Sequence, residues 1–185
     1  GWQGWNARQQ ATLDAGAMAY QQLLQAVMAV EADPSDIKIA EVEHRAQTIK
    51  DDFPAAGFAH FAALIKAKQA VVDADYDVAA AELNWVLDNK PGHQVKALAQ
   101  LRLARVLSMQ DQTDKALEIL SVDDSGAFAP YFAEAKGDIL LTQQRYSEAY
   151  EAYEVSKAEA NRLQVPVPAL LELKTGYAKS YLSNG

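Results

Sequence analysis

The chain has 185 residues, half of them apolar and 23% charged, with a formal net charge of −8. That balance describes a folded globular chain, and it excludes a nucleic-acid surface, which needs clustered Lys and Arg. With no cysteine, thiol catalysis, disulfides and thiolate metal sites are excluded, while the cellular compartment stays open.

In chain order, the sequence begins Gly1-Trp2-Gln3-Gly4-Trp5, without an initiating Met or a charged and apolar leader. Gly1 therefore reads as a truncation point, and residues 1–5 are expected to be a poorly ordered stub beside a membrane. Trp2 and Trp5 fit a membrane–water interface, where the ring sits among headgroups and the N–H reaches water. Packing of both rings onto the first helix pair is the alternative. No run approaches the ~20 consecutive apolar residues of a membrane-spanning helix.

A long helix is predicted from about Asn6 to Val30, with Leu13, Ala17, Tyr20, Leu24, Val27 and Met28 recurring at spacings of three and four. Ala32-Asp33-Pro34-Ser35-Asp36 reads as a turn that caps the next helix. That helix runs to about Asp52 with Ile39, Val42, Ala46 and Ile49 inward, and Phe53-Pro54 stops it.

Three further helix pairs are predicted over 55–73 with 75–89, 92–109 with 112–121, and 127–143 with 145–163. In each, a small residue is followed twelve positions later by alanine: Ala67 and Ala79, Ala104 and Ala116, Gly137 and Ala149. The units step by 37 and then 33 residues, the period of a helix-pair solenoid. Small residues belong where two antiparallel helices cross closely. These units resemble tetratricopeptide repeats, although their fourth positions are Ala63, Gln100 and Ala133 instead of a large aromatic. Two of their third apolar positions are Asp123 and Ser156. After Val165-Pro166-Val167-Pro168, a last helix to about Leu182 is expected as a cap, with Val167, Leu170, Leu171, Ala178, Tyr181 and Leu182 on one stripe. The expected fold is all-α, a tetratricopeptide-like helical-hairpin solenoid of about nine helices with a C-terminal capping helix. Residues 6–185 form one tetratricopeptide-like domain, and 54–163 carry its clearest repeats.

In tetratricopeptide arrays the second, fifth, ninth and twelfth positions of each first helix line a concave groove. The resemblance places Phe61, Leu64, Lys68 and Val71 there, then Leu98, Leu101, Arg105 and Ser108, then Tyr131, Glu134, Asp138 and Leu141. This mixture of apolar groups and both charge signs suits a peptide or protein partner. Packing of the final helix or the long first one into the groove is the competing expectation.

Catalytic chemistry finds no support in the residues. His44, His60 and His93 lack the i, i+4 pairing of a helical zinc site. Asp123-Asp124-Ser125-Gly126 would need a bidentate Glu at position 132, which is Phe132. There is no phosphate cradle and no nucleophile elbow. No catalytic, cofactor-binding or metal-binding residue is expected, and the chain reads as a non-enzyme.

Gly1-Trp2-Gln3-Gly4-Trp5-Asn6, Ala17-Met18-Ala19-Tyr20-Gln21, Leu101-Arg102-Leu103-Ala104-Arg105-Val106 and Gly137-Asp138-Ile139-Leu140-Leu141 together resemble the YfgM family of Gram-negative bacteria. The resemblance implies a single transmembrane helix ahead of a periplasmic solenoid, with Trp2 and Trp5 at the membrane exit. It further implies an inner-membrane ancillary subunit of the Sec translocon that links exported polypeptides to periplasmic chaperones beside a membrane-anchored prolyl isomerase. The family brings no catalytic residue. A scaffold of another envelope complex, or a cytosolic repeat adaptor, remains open.

Overall fold

Every segment with a 3.6-residue apolar repeat is a helix in the computed structural model, which describes residues 1–54, 57–123 and 125–182. Ala55, Ala56, Asp124 and residues 183–185 lie outside the described residues, and with them Asp124 of the loop weighed as a calcium site. The described helices are α1 (Trp2–Ala32), α2 (Asp36–Asp52), α3 (Phe58–Val72), α4 (Tyr76–Asp88), α5 (His93–Met109), α6 (Thr113–Leu120), α7 (Ala129–Thr142), α8 (Tyr146–Arg162) and α9 (Ala169–Ser180). A 3-10 turn, Gly126–Phe128, precedes α7, and no strand occurs among the described residues. The chain divides into two compact units, Gly1–Lys96 and Ala97–Gly185.

The hairpin turns repeat with the sequence. Ala74, Asp111 and Gln144 all adopt φ near +60° (57°, 60° and 58°), at the same steps that separate the small residues. After each, a backbone N–H reaches back over the helix end: Asp75 to the Ala70 carbonyl at 2.8 Å, Gln112 to Leu107 at 2.9 Å, Arg145 to Leu140 at 3.0 Å. This is the Schellman arrangement, which favours glycine at the left-handed position. None of the three is glycine, so each turn carries backbone strain. Ala74→Gly should therefore stabilise unit 1 by about 0.5–1 kcal/mol, measured as a rise in urea midpoint at unchanged m-value.

In unit 1 the core gathers Leu23, Ala26 and Val30 of α1, Val42, Ala46 and Ile49 of α2, and Ala62 of α3. The expected inner face of α2 holds, and Ser35 caps that helix by accepting from the Lys38 N–H at 3.2 Å. Two expectations for α1 need correcting. It starts at Trp2, with the Trp5 N–H bonded to the Gly1 carbonyl at 3.0 Å; residues 2–5 hold no proline, and Gly4 lowers helix propensity without stopping the helix. Its buried stripe is Gly16, Leu23, Ala26 and Val30, while Leu13, Ala17, Leu24 and Met28 are exposed. Tyr20 and Val27 of the expected stripe do pack against this core, and the face turns toward Gly16 because Phe58 of α3 packs directly on it, where a Cβ would sit 2.8 Å from its ring.

A charged cluster ties α2, α3 and α4 together. Glu82 is buried and its carboxylate accepts from Lys50 at 2.8 Å and Lys66 at 2.9 Å. Lys66 also donates to Gln47 at 2.9 Å, and Lys50 lies 4.5 Å from the centre of the Trp85 ring. Each ion is thus paired and hydrogen-bonded, as burial of charge requires.

In unit 2 the first core joins Ala97 and Ala104 of α5, Ala116 and Leu120 of α6, and Phe132, Ala135 and Ile139 of α7. A second joins Leu140 of α7, Ala149, Ala152 and Tyr153 of α8, and Leu171 and Ala178 of α9. All six paired small residues are buried. A Cβ on Gly137 would collide with the Tyr153 ring of α8, which shows why the crossing takes glycine. Ser156, at a position expected to be apolar, is satisfied by donating to the Pro130 carbonyl at 2.7 Å. The buried stripe of α9 is Leu171, Thr175 and Ala178, while Leu170, Tyr181 and Leu182 of the expected stripe are exposed. Thr175 is accommodated in the stripe by donating its hydroxyl to the Leu171 carbonyl at 2.7 Å.

Candidate functional site

The positions assigned to a groove fall on α3 in unit 1 and on α5 and α7 in unit 2. On α3, Leu64 is buried while Phe61, Lys68 and Val71 are exposed. Phe61 lies beside Tyr20 of α1, ring centres 5.9 Å apart. Lys68 edges an apolar cleft of about 440 Å³ between α1, α2 and α3, lined by Tyr20, Leu24, Val27, Ile39 and Ile65. So the long first helix borders these residues without covering Lys68 or Val71.

In unit 2, Leu98, Leu101, Ser108 and Leu141 are half-buried, whereas Arg105 and Tyr131 are exposed. Glu134 and Asp138 sit one turn apart on α7 and are half-buried. Asp138 receives Arg105 of α5 at 3.3 Å, the Tyr153 hydroxyl of α8 at 2.8 Å and Lys174 of α9 at 3.1 Å. Lys174 bonds Glu134 as well, at 3.0 Å. The final helix therefore supplies one cation shared by both acids, and Asp138 takes a second from Arg105 of α5. Lys174 is the residue that sequence reasoning missed, because on its own helix it looks like one more solvated base.

Burial, then the bond to Asp138, pushes the Tyr153 phenol far above its ordinary range, so it stays a neutral donor. Burial works against the charge on Lys174, but its bonds to Glu134 and Asp138 outweigh that and raise its pKa. Both folded values exceed the unfolded ones, so the stability they lend is complete below pH 10 and drains as pH rises through the folded values. The melting temperature should fall between about pH 10 and 12, and more shallowly in Tyr153→Phe; a pH series of thermal melts reads this directly.

Trp2 and Trp5 project from the first turns of α1, 74% and 60% exposed. From Trp2 to Ala15 no residue of α1 is buried. No helix among the described residues is long and apolar enough to cross a membrane. Nor, among the described residues, do three or more His, Asp or Glu side chains gather where they could hold a metal ion.

Comparison with known proteins adds to this geometry. The family profile described as a tetratricopeptide repeat-like domain matches residues 1–176. An ancillary SecYEG translocon subunit of Neisseria gonorrhoeae (strain ATCC 700825 / FA 1090) is 33% identical over 114 residues, covering 62% of this chain and 54% of that relative. An ancillary SecYEG translocon subunit of Escherichia coli (strain K12) is 32% identical over 154 residues, covering 83% of this chain and 70% of that relative. The chain belongs to the YfgM family. Its fold is accordingly tetratricopeptide-like and all-helical among the described residues. The chain spans about half the length of the gonococcal YfgM relative. Both relatives carry the name ancillary SecYEG translocon subunit. No solved structure matches the chain.

Proposed function

We propose that this chain is a non-enzymatic protein-interaction module, the periplasmic part of an inner-membrane ancillary subunit of the Sec translocon. In this reading it links exported polypeptides to periplasmic chaperones and works beside a membrane-anchored prolyl isomerase. The observation that carries it is membership of a translocon-subunit family combined with first helices that leave Phe61, Val71, Arg105 and Tyr131 open to a partner. Exposed aromatic and Arg side chains are the usual anchors of a protein interface. Trp2 and Trp5, on a stretch of α1 that none of the described residues buries, suit the membrane–water interface.

Because Asp138 also holds unit 2 together, the test uses exposed groove positions. The double variant Tyr131→Ala, Arg105→Ala should keep its helicity and melting temperature yet lose at least about tenfold in copurification with the SecYEG translocon, as truncating two anchors requires. Unchanged association in the folded variant moves the interface off these helices.

A further inference from the structure

Three tyrosines meet at the open end of the α8–α9 hairpin, opposite the 163–168 connection. Tyr146 begins α8, while Tyr177 and Tyr181 lie one turn apart where α9 ends. The Tyr146 and Tyr181 rings are parallel to within 1°, their centres 3.9 Å apart. That is closer than the ~4.5–7 Å of most aromatic pairs. Tyr177 meets Tyr181 edge-on, at 5.3 Å and 69°, with the two hydroxyls 3.1 Å apart. Among the described residues no other two tyrosine rings pair: Tyr131 lies against Phe128, and the buried Tyr153 donates to Asp138. Tyr181 is 45% exposed and Tyr177 52%, and Tyr146 is half-buried, so the cluster is open to water and to a dissolved oxidant.

This arrangement suits one-electron chemistry. Unit 2 contains neither Trp nor Cys, so tyrosine is its most readily oxidised one-electron donor, and no thiol within it quenches a phenoxyl radical. Such a radical carries its spin on the oxygen and on the ring carbons ortho and para to it, in p orbitals perpendicular to the ring. The para carbon is blocked by Cβ, which leaves the ortho carbons free to form a bond. Parallel rings aim these orbitals at each other, as at Tyr146 and Tyr181, whereas the nearly perpendicular Tyr177 ring turns its own aside. Holding both reacting groups in contact makes coupling unimolecular, an advantage of orders of magnitude over chance encounter.

We propose that Tyr146 and Tyr181 form a modification site, joined as a dityrosine by a one-electron oxidant such as a haem peroxidase acting with hydrogen peroxide. Each phenol gives one electron to the oxidant and its O–H proton to water. The two ortho carbons then form a C–C bond, and the hydrogen on each moves through water to its own ring's oxygen, restoring both phenols. In balance, two electrons pass to the oxidant and two protons to water. The bond joins positions 35 residues apart and closes the open end of the hairpin. It thereby pins α9, which carries Lys174 to Glu134 and Asp138. A cross-link of this kind stabilises by constraining the unfolded chain.

The experiment illuminates the whole chain briefly with tris(bipyridyl)ruthenium(II) and persulfate, which generate a ruthenium(III) one-electron oxidant. The expected product is a monomer lighter by two hydrogen atoms, with dityrosine fluorescence and a higher urea midpoint than the parent. Trypsin, cutting after Lys179, separates Tyr177 from Tyr181, so fragment masses locate the bond. Its yield should not depend on protein concentration, and should fall at least about tenfold in Tyr146→Phe and in Tyr181→Phe. Tyr177→Phe should leave it unchanged. Each variant keeps its ring, so circular dichroism and thermal melts should match the parent before oxidation. A bond through Tyr177, a product formed only between chains, an equal yield in concentrated urea, or no cross-link at all would overturn the proposal.

Discussion

Glu82→Ala should destabilise unit 1 by about 3–5 kcal/mol, because it leaves two lysines buried without their counter-ion. The Glu82 side chain is 10% exposed, and those of Lys50 and Lys66 are 9% and 17%. Neither amine can swing into water without abandoning Trp85 or Gln47, the contacts that hold them among α2, α3 and α4. The loss belongs to the orphaned charges, not to the worth of the cluster. Replacing Lys50 and Lys66 by Met and Glu82 by Leu together should bring stability back to within about 1–2 kcal/mol of the parent, since well-packed apolar groups commonly match a buried ion cluster. Urea unfolding of the single and triple variants checks both halves. A single variant that loses under 1 kcal/mol would mean the lysines find water at little cost.

That cluster also marks the boundary of what the sequence makes legible. Hairpin phasing is local information: a small residue, a turn and an alanine lie within one hairpin, so Ala67, Ala79, Ala104, Ala116, Gly137 and Ala149 announce the crossings without any tertiary knowledge. Lys50, Lys66 and Glu82 lie on three different helices, and each looks like an ordinary solvated charge on its own wheel. Lys174 escapes notice for the same reason, because its acids are 36 and 40 residues away on α7. The face of α1 is misjudged by a different route. Counting large apolar residues favours Leu13, Leu24 and Met28, but the helix packs on the side where Gly16 and Ala26 permit close approach. Groove positions come through unevenly. Their register follows from the repeat, yet which of them stay open depends on Tyr20 and Lys174, supplied by the terminal helices.

Two glycines inside helices, Gly137 of α7 and Gly176 of α9, should respond to the same substitution with opposite signs. Gly137→Ala gains helix propensity of about 1 kcal/mol but drives a methyl group into the Tyr153 ring. That ring is fully buried, and its hydroxyl is fixed on Asp138 at 2.8 Å, so it cannot step aside. Overpacking of such a site should prevail, for a net loss of about 1–3 kcal/mol. Gly176→Ala meets nothing within 4 Å and should keep the propensity gain, about 1 kcal/mol of added stability. Combining Gly137→Ala with Tyr153→Leu tests the cause. Tyr153→Leu alone opens a cavity and costs stability, yet the double variant should be more stable than the sum of the two singles predicts, by at least about 1 kcal/mol. Strict additivity would mean that the ring is not what excludes a side chain at position 137. The close helix crossing would then have to be ascribed to backbone contact between α7 and α8.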